Sequence, residues 1–428
     1  MVPRSLVPLL LTFALLIGSV ACTQQSQPTP PAQQVQPTQQ TGQGGKPASE
    51  PIKLGFLGIF SGRVAMLGET GFKGAKLAVQ EINERGGITG RPVEISFRDT
   101  AGNRDEAVRI ARDLVLKERV DFIVDGSSSA EAFAVSSAAK QLSKVDLVTA
   151  SESASLTEPA NLHDFVFRLA RNTLHDGIAA GLFASKLPYV RWYTIGPDYE
   201  YGRSSTEFFV RELKNQKPDI QIVGESWPKF FEPDYTPHIQ KILDAQPDAV
   251  YSPLWGGDLV AFIQQAQSFG LFDKVKFVSP NIADSLVLKA LGGNLPKGMY
   301  TGTRFLVGSP ETEANKKFAE AYLQQFGEEP TNWAVQAYHG IYFLKAAIEK
   351  AGSTESREVA QALPGLKLAN MPWGDLEIRP SDHQLINYEI GWGITDPSLP
   401  NKVKIEYTSD WTQILQREKE ASAQAVKQ

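Results

Sequence analysis

Three consecutive serines, Ser127-Ser128-Ser129, follow the apolar run Phe122-Ile123-Val124 and precede Ala130-Glu131-Ala132, where a helical pattern begins. A buried strand that breaks at Gly126 and opens a helix leaves free backbone N–H groups beside the positive end of the helix dipole, a place that favours an anion. Serine hydroxyls there can donate to a carboxylate or accept from an ammonium. The plainer alternative is that one of them is only a helix N-cap. More polar and aromatic residues stand just after other apolar runs: Ser61-Gly62, Ser151-Glu152-Ser153, Tyr199 and Tyr201, Trp255, and Asn281. Each alone has an ordinary reading as turn or packing chemistry. Together they suit a small ligand with one polar and one apolar end, gripped by hydroxyls on one side and aromatic rings on the other.

Covalent chemistry finds less support. The five histidines form no i, i+4 pair and no HExxH, so a metal site has no basis in the spacing. No GxSxG elbow and no GxxxxGK[ST] loop occurs; GETGFKGAK at 68–76 has the wrong spacing and reads as a helix start. The acidic pairs Glu328-Glu329 and Asp375/Glu377 read as solvated surface. The expectation is a binding protein, not an enzyme, with no cofactor. A net charge of −5 without a basic excess gives no reason to expect nucleic acid.

The elements that must hold these residues alternate between short apolar strands and amphipathic helices. Strands are expected at 52–60, 92–97, 122–124, 145–150 and 165–170, with helices over 68–85, about 104–117 and from about 130 to 142 between them. The pattern then starts afresh, with strands at 191–196, 220–226, 249–254 and 276–280 and helices between. Such β-α repetition implies parallel sheets covered by helices, with ligand-edge loops after the strands. The last third (strand 299–307, helices 311–326, 332–350 and 355–363, strands 374–378 and 387–394) is expected to return and complete both units. The resulting division is a first lobe of 51–170 plus 301–372 and a second of 171–300 plus 373–412, with 413–428 a polar, frayed tail.

The first 22 residues read as a secretory signal: Arg4, then the apolar stretch Leu6–Val20, then Ala21-Cys22. Cys22 is the only cysteine, which excludes an internal disulfide, and its place resembles the lipid-modified residue of a bacterial lipoprotein. Residues 23–50, rich in Gln, Pro and Thr, cannot bury enough apolar surface to fold and read as a tether.

The run IKLGFLGIFSGRVAMLGETGFKGAKLAVQEINERGGITGRPVEISFRDT, residues 52–100, resembles the opening of the periplasmic binding proteins of the leucine/isoleucine/valine type, and the similarity extends to about residue 395. The resemblance implies the type I fold: two doubly wound parallel-sheet lobes joined by a multi-strand hinge. It also implies capture of a solute by lobe closure and delivery to the permease and ATPase of an ABC importer, at a membrane reached through the lipid anchor. Position by position, Ser127 matches a serine that holds the ligand carboxylate, with Ser128 beside it. Ser153 matches a hydroxyl that contacts both ligand ends, and Ser151 a carbonyl that accepts from the ammonium. Tyr201 matches an aromatic lid, and Trp255 falls where a tyrosine packs on the ligand. Asn281 departs, standing where amino-acid binders carry an acid. Either Glu152 or Asp284 supplies that charge, or the ligand has no ammonium. The resemblance favours an apolar amino acid as ligand, with an amine-free aromatic or organic acid as the alternative. A sensor feeding a regulatory partner is the alternative to a transport role.

Overall fold

The computed structural model describes residues 50–425. The expected signal segment, Cys22 and nearly all of the tether lie outside the described residues. The chain opens with β1 (Ile52–Gly58), α1 (Met66–Glu84), β2 (Val93–Asp99), α2 (Arg104–Leu116), β3 (Phe122–Gly126), α3 (Ser129–Leu142), β4 (Asp146–Val148) and β5 (Val166–Arg168). These strands form one parallel sheet in the order β2-β1-β3-β4-β5. Local chemistry sets the ends of its helices. Asn103 caps α2 by accepting from the amides of Asp105 and Glu106. Gly87 (φ 79°) turns the chain after α1, where a Cβ would lie 1.9 Å from the Arg91 carbonyl oxygen.

The second unit holds α4 (Thr173–Ala184), β6 (Arg191–Ile195), α5 (Glu200–Gln216), β7 (Gln221–Ser226), α6 (Thr236–Ala245), β8 (Ala249–Tyr251), α7 (Gly256–Ser268), α8 (Leu271–Lys274), β9 (Lys276–Ser279), α9 (Ser285–Leu291) and β10 (Tyr300–Gly302). The chain then returns to the first unit with α10 (Glu313–Phe326), α11 (Asn332–Ala351), α12 (Ser356–Ala362) and the small sheet β11 (Lys367–Met371), β12 (Gly374–Ile378) and β13 (Leu385–Ile386). It ends in the second with β14 (Gly391–Thr395), β15 (Val403–Thr408) and α13 (Trp411–Ala425). The second sheet runs β15-β14-β10-β9-β8-β6-β7, parallel in its middle, with β14 and β15 added antiparallel at one edge. The chain therefore crosses between lobes after β5, after β10 and after β13, which is the hinge. Among the described residues no helix is long and apolar enough to cross a membrane.

Four details differ from the sequence-based expectation. The strand expected over 299–307 stops at Gly302, whose backbone packs against Pro280, and Arg304 follows with φ 47°. The strands β12 and β13 lie with the first lobe: Gln384 bridges to Arg168 of β5, and Leu376, Ile378 and Leu385 join the core under α11. The third crossing thus falls after β13 and not at 372/373. The strand expected from 387 begins at Gly391, because Asn387 sits at φ 69° and bends the chain first. The polar tail is the docked helix α13: Ile414 is fully buried, Trp411 packs on Tyr388 and His175, Glu418 pairs with Arg379, and Arg417 with Glu212.

Candidate functional site

The β3–α3 junction spends most of its donors on its own acids. The Ser127 amide donates to Asp125 Oδ1 (2.7 Å), and the Ser128 amide and hydroxyl both donate to Glu131 Oε2 (3.1 and 2.8 Å). Ser128 is the N-cap and Glu131 completes the capping box. Ser129, in the first turn of α3, keeps an amide with no acceptor inside the helix, and its hydroxyl accepts from Ser151 (3.0 Å). Asp125 is fully buried beneath this loop, and burial pushes its carboxyl up to about 7.

After β4, Glu152 meets Arg304, which the early end of β10 turns into the cleft. Arg304 Nη1 and Nη2 donate to the two Glu152 oxygens at 2.7 and 2.5 Å, and each side chain is 4% exposed. Burial works against the Arg304 charge, but the Glu152 carboxylate outweighs it, so the guanidinium is held above its ordinary value. Asp176 stands 3.8 Å from Arg304 and is itself paired with Arg171. Asp284 caps α9 through the Leu286 amide and is pushed by burial up to about 6. With its amide turned to satisfy its neighbours, Asn332 donates to Asp284 (3.1 Å) and accepts from Arg304 (2.9 Å).

The second lobe supplies the aromatic wall. Tyr199 and Tyr201 flank the start of α5, and Trp255 stands at the N-cap of α7. Trp255 Nε1 donates to the Tyr199 hydroxyl (2.8 Å), and its ring meets Trp333 of α11 at 5.6 Å between centroids. Asn281 Nδ2 is shared among the Tyr201 hydroxyl (3.0 Å) and the carbonyls of Pro253 and Leu254 (3.1 and 2.9 Å). Burial, reinforced by the Glu152 charge, pushes the Tyr201 phenol up, and burial does the same to Tyr199.

The two lobes touch around this space. Ser153 and Ser155 both donate to Glu200 Oε1 at the start of α5 (2.9 Å each). Arg63, in the loop after β1, reaches the second lobe at the Glu232 carbonyl (3.2 Å), at Asp258 (3.4 Å) and over the Phe231 ring. The lobes are closed. Between them lies a narrow cavity of about 20 Å³, which must widen to admit a ligand. Its aromatic walls are Tyr199, Tyr201, Trp255 and Trp333, with Leu67 and Ala150 beside them, and its polar groups are Ser128, Ser129, Glu152 and Arg304.

Of the residues singled out in the sequence, Ser128, Ser129, Glu152, Tyr199, Tyr201 and Trp255 line this cavity. Ser127, Ser151, Ser153 and Asn281 lie just behind it, bonded to Asp125, Ser129, Glu200 and Tyr201 respectively. Arg304 and Trp333 were not foreseen. A lone arginine inside the apolar run TGTRFLV is the signal that could have found the first.

The profile of a family described as periplasmic binding protein matches residues 51–388. Leu/Ile/Val-binding protein homolog 7 of Brucella abortus (strain 2308) is 27% identical over 346 residues, covering 76% of this chain and 84% of that protein. Homolog 4 of the same strain is 25% identical over 353 residues, covering 79% and 82%. Among solved structures, a solute-binding protein of an ABC transporter from Rhodopseudomonas palustris BisB5, in complex with 3,4-dihydroxybenzoic acid, superposes with a TM-score of 0.77 at 23% identity, over 85% of this chain and 98% of its own. A leucine-binding protein from Thermotoga maritima MSB8 superposes with a TM-score of 0.73 at 21% identity, over 84% and 99%. At these identities the two structures share the fold.

Proposed function

The chain belongs to the periplasmic binding protein family, and from that premise we propose that it captures an amine-free aromatic carboxylate between its lobes and hands it to an ABC permease and ATPase. One observation carries the choice of ligand: both oxygens of Glu152, the only acid lining the cavity among the described residues, are already held by Arg304. Asn281 offers no negative charge, and Asp284 is turned to Leu286 and Asn332 behind the wall. An α-ammonium placed here would lose its hydration without gaining a counter-charge, a cost of several kcal/mol in order of magnitude. A carboxylate finds better company in the Ser129 amide and the Ser129 hydroxyl at the start of α3. The flat walls of Trp255, Trp333, Tyr199 and Tyr201 suit a ring.

On this reading the amine-free alternative displaces the apolar amino acid. Closure is the working step: the ligand touches Ser129 of one lobe and the tyrosines of the other, so it binds the closed form better and shifts the hinge equilibrium. The leader and Cys22 support export and anchoring by a lipid, with residues 23–50 as the tether. The test is thermal unfolding of the purified protein against amino acids and against aromatic acids without an amine, at equal concentrations. A ligand at 100 times its dissociation constant adds about 2.7 kcal/mol of stability. We expect the midpoint to rise with the aromatic acids; a rise with amino acids alone overturns the ligand class.

A further inference from the structure

Hydrogen-bond accounting at the aromatic wall leaves two protons unspent. The Tyr199 oxygen accepts from Trp255 Nε1, and an indole N–H can only donate. The Tyr201 oxygen accepts from Asn281 Nδ2, whose orientation is fixed because the same nitrogen faces two carbonyls. Each phenol therefore acts as an acceptor towards its own lobe and retains its O–H. Among the described residues neither proton has an acceptor, and both side chains line the cavity; Tyr199 is partly buried, while Tyr201 is buried, where a donor without a partner is costly. The two ring centroids lie 6.1 Å apart on the same wall.

We propose that Tyr199 and Tyr201 form a two-donor subsite for a second, neutral oxygen on the ligand, so the solutes of this protein are aromatic acids that also carry a hydroxyl, ether or carbonyl oxygen. The subsite rests on the reading of the cavity as one for amine-free aromatic acids. Neutrality follows from the surroundings. Burial, reinforced by the Glu152 charge, holds the Tyr201 phenol protonated and a donor, and a second carboxylate here would lose its hydration without a cation of its own, Arg304 being held by Glu152. Trp255 and Asn281 act as positioning residues: by donating into the phenol oxygens they turn the O–H bonds away from their own lobe.

The experiment uses ligand pairs that match in size and differ only in the acceptor. Calorimetric titration of the purified protein compares 3- and 4-methoxybenzoate with 3- and 4-ethylbenzoate, and repeats the set with Tyr199→Phe and Tyr201→Phe. The expected result is at least one methoxy acid bound about tenfold more tightly than its ethyl partner, with that preference falling to about twofold or less in one or both variants while ethyl affinity is kept. A tyrosine serving only to shape the wall would weaken both acids alike. Equal affinity within both pairs in the wild-type protein overturns the subsite and leaves the aromatic-acid reading standing. Binding of none of the four, with leucine bound instead, overturns that reading and the subsite with it. Should a variant fail to fold, the wild-type comparison within each pair still decides.

Discussion

Replacing Arg304 by methionine keeps most of the side chain's length and removes its charge. The two hydrogen bonds to Glu152, 2.7 and 2.5 Å long between groups each 4% exposed, are lost together. Glu152 is then left buried with Asp176 nearby and no cation against it. Breaking one partner out of a buried pair costs about 3–5 kcal/mol, most of it the desolvation of the survivor. In a protein of this size that corresponds to a fall of roughly 4–6 °C in the unfolding midpoint. The double variant Glu152→Gln with Arg304→Met removes both charges, so much of the loss returns. Circular-dichroism melts of the wild type, both single variants and the double variant at pH 7.5 give the coupling energy directly, expected to be above about 2 kcal/mol. Glu152→Gln alone leaves Arg304 with Asp176 at 3.8 Å and frees the guanidinium for a ligand, so affinity for aromatic acids should rise. Additive single effects, or an unchanged midpoint in Arg304→Met, would refute the buried pair and with it the argument that Glu152 is unavailable to an ammonium.

The remaining expectations concern the frame around the site. Burial lifts the Asp125 carboxyl to about 7, so the folded state holds its proton more tightly than the unfolded one and the stability it contributes is lost as pH rises from about 4 to about 7. Asp125→Asn should therefore gain on the wild type between pH 5 and pH 8 in paired melts, and a flat difference would contradict this. His163 and His339, pushed by burial down to about 4 and 3, slope the other way but are common to both proteins. Ile414→Ala, which empties a fully buried position under α13, should cost about 2–5 kcal/mol in urea unfolding; an effect below 1 kcal/mol would mean that the helix is not docked. Gly74→Ala would set a Cβ 2.0 Å from the Ala334 carbonyl oxygen, so α1 and α11 must separate. A loss of about 1–3 kcal/mol is expected, with weaker ligand binding because Trp333 rides on α11.

Much of the frame can be read from local signals. Apolar runs of strand length alternate with helical spacing, and Gly86-Gly87 stops the first helix. Tyr201 and Trp255 line the cavity because the loops that carry them follow β6 and β8, on the edge where such sheets place their ligands. The serine triplet was legible in a second way: Ser128 and Glu131 are spaced as a capping box, which uses the very donors that an anion would want. Arg304 was not legible, because β10 stops at Gly302 and the chain turns at Arg304 with φ 47°, a break that hydrophobic periodicity does not register. The alternation in Val403–Thr408 is a readable edge strand that went unread, its inner face being a few residues long. The helix α13 looks polar throughout, and what holds it is a set of partners far off in the chain, Arg379 and Glu212.

The most direct test of the central claim is a calorimetric comparison of 3-phenylpropanoate with phenylalanine, two acids that differ only in the α-ammonium. With Glu152 closed by Arg304, the amine-free acid should bind at least about tenfold more tightly, a difference of about 1.4 kcal/mol. Tighter binding of phenylalanine would show that Glu152 opens to receive an ammonium, and would contradict the account.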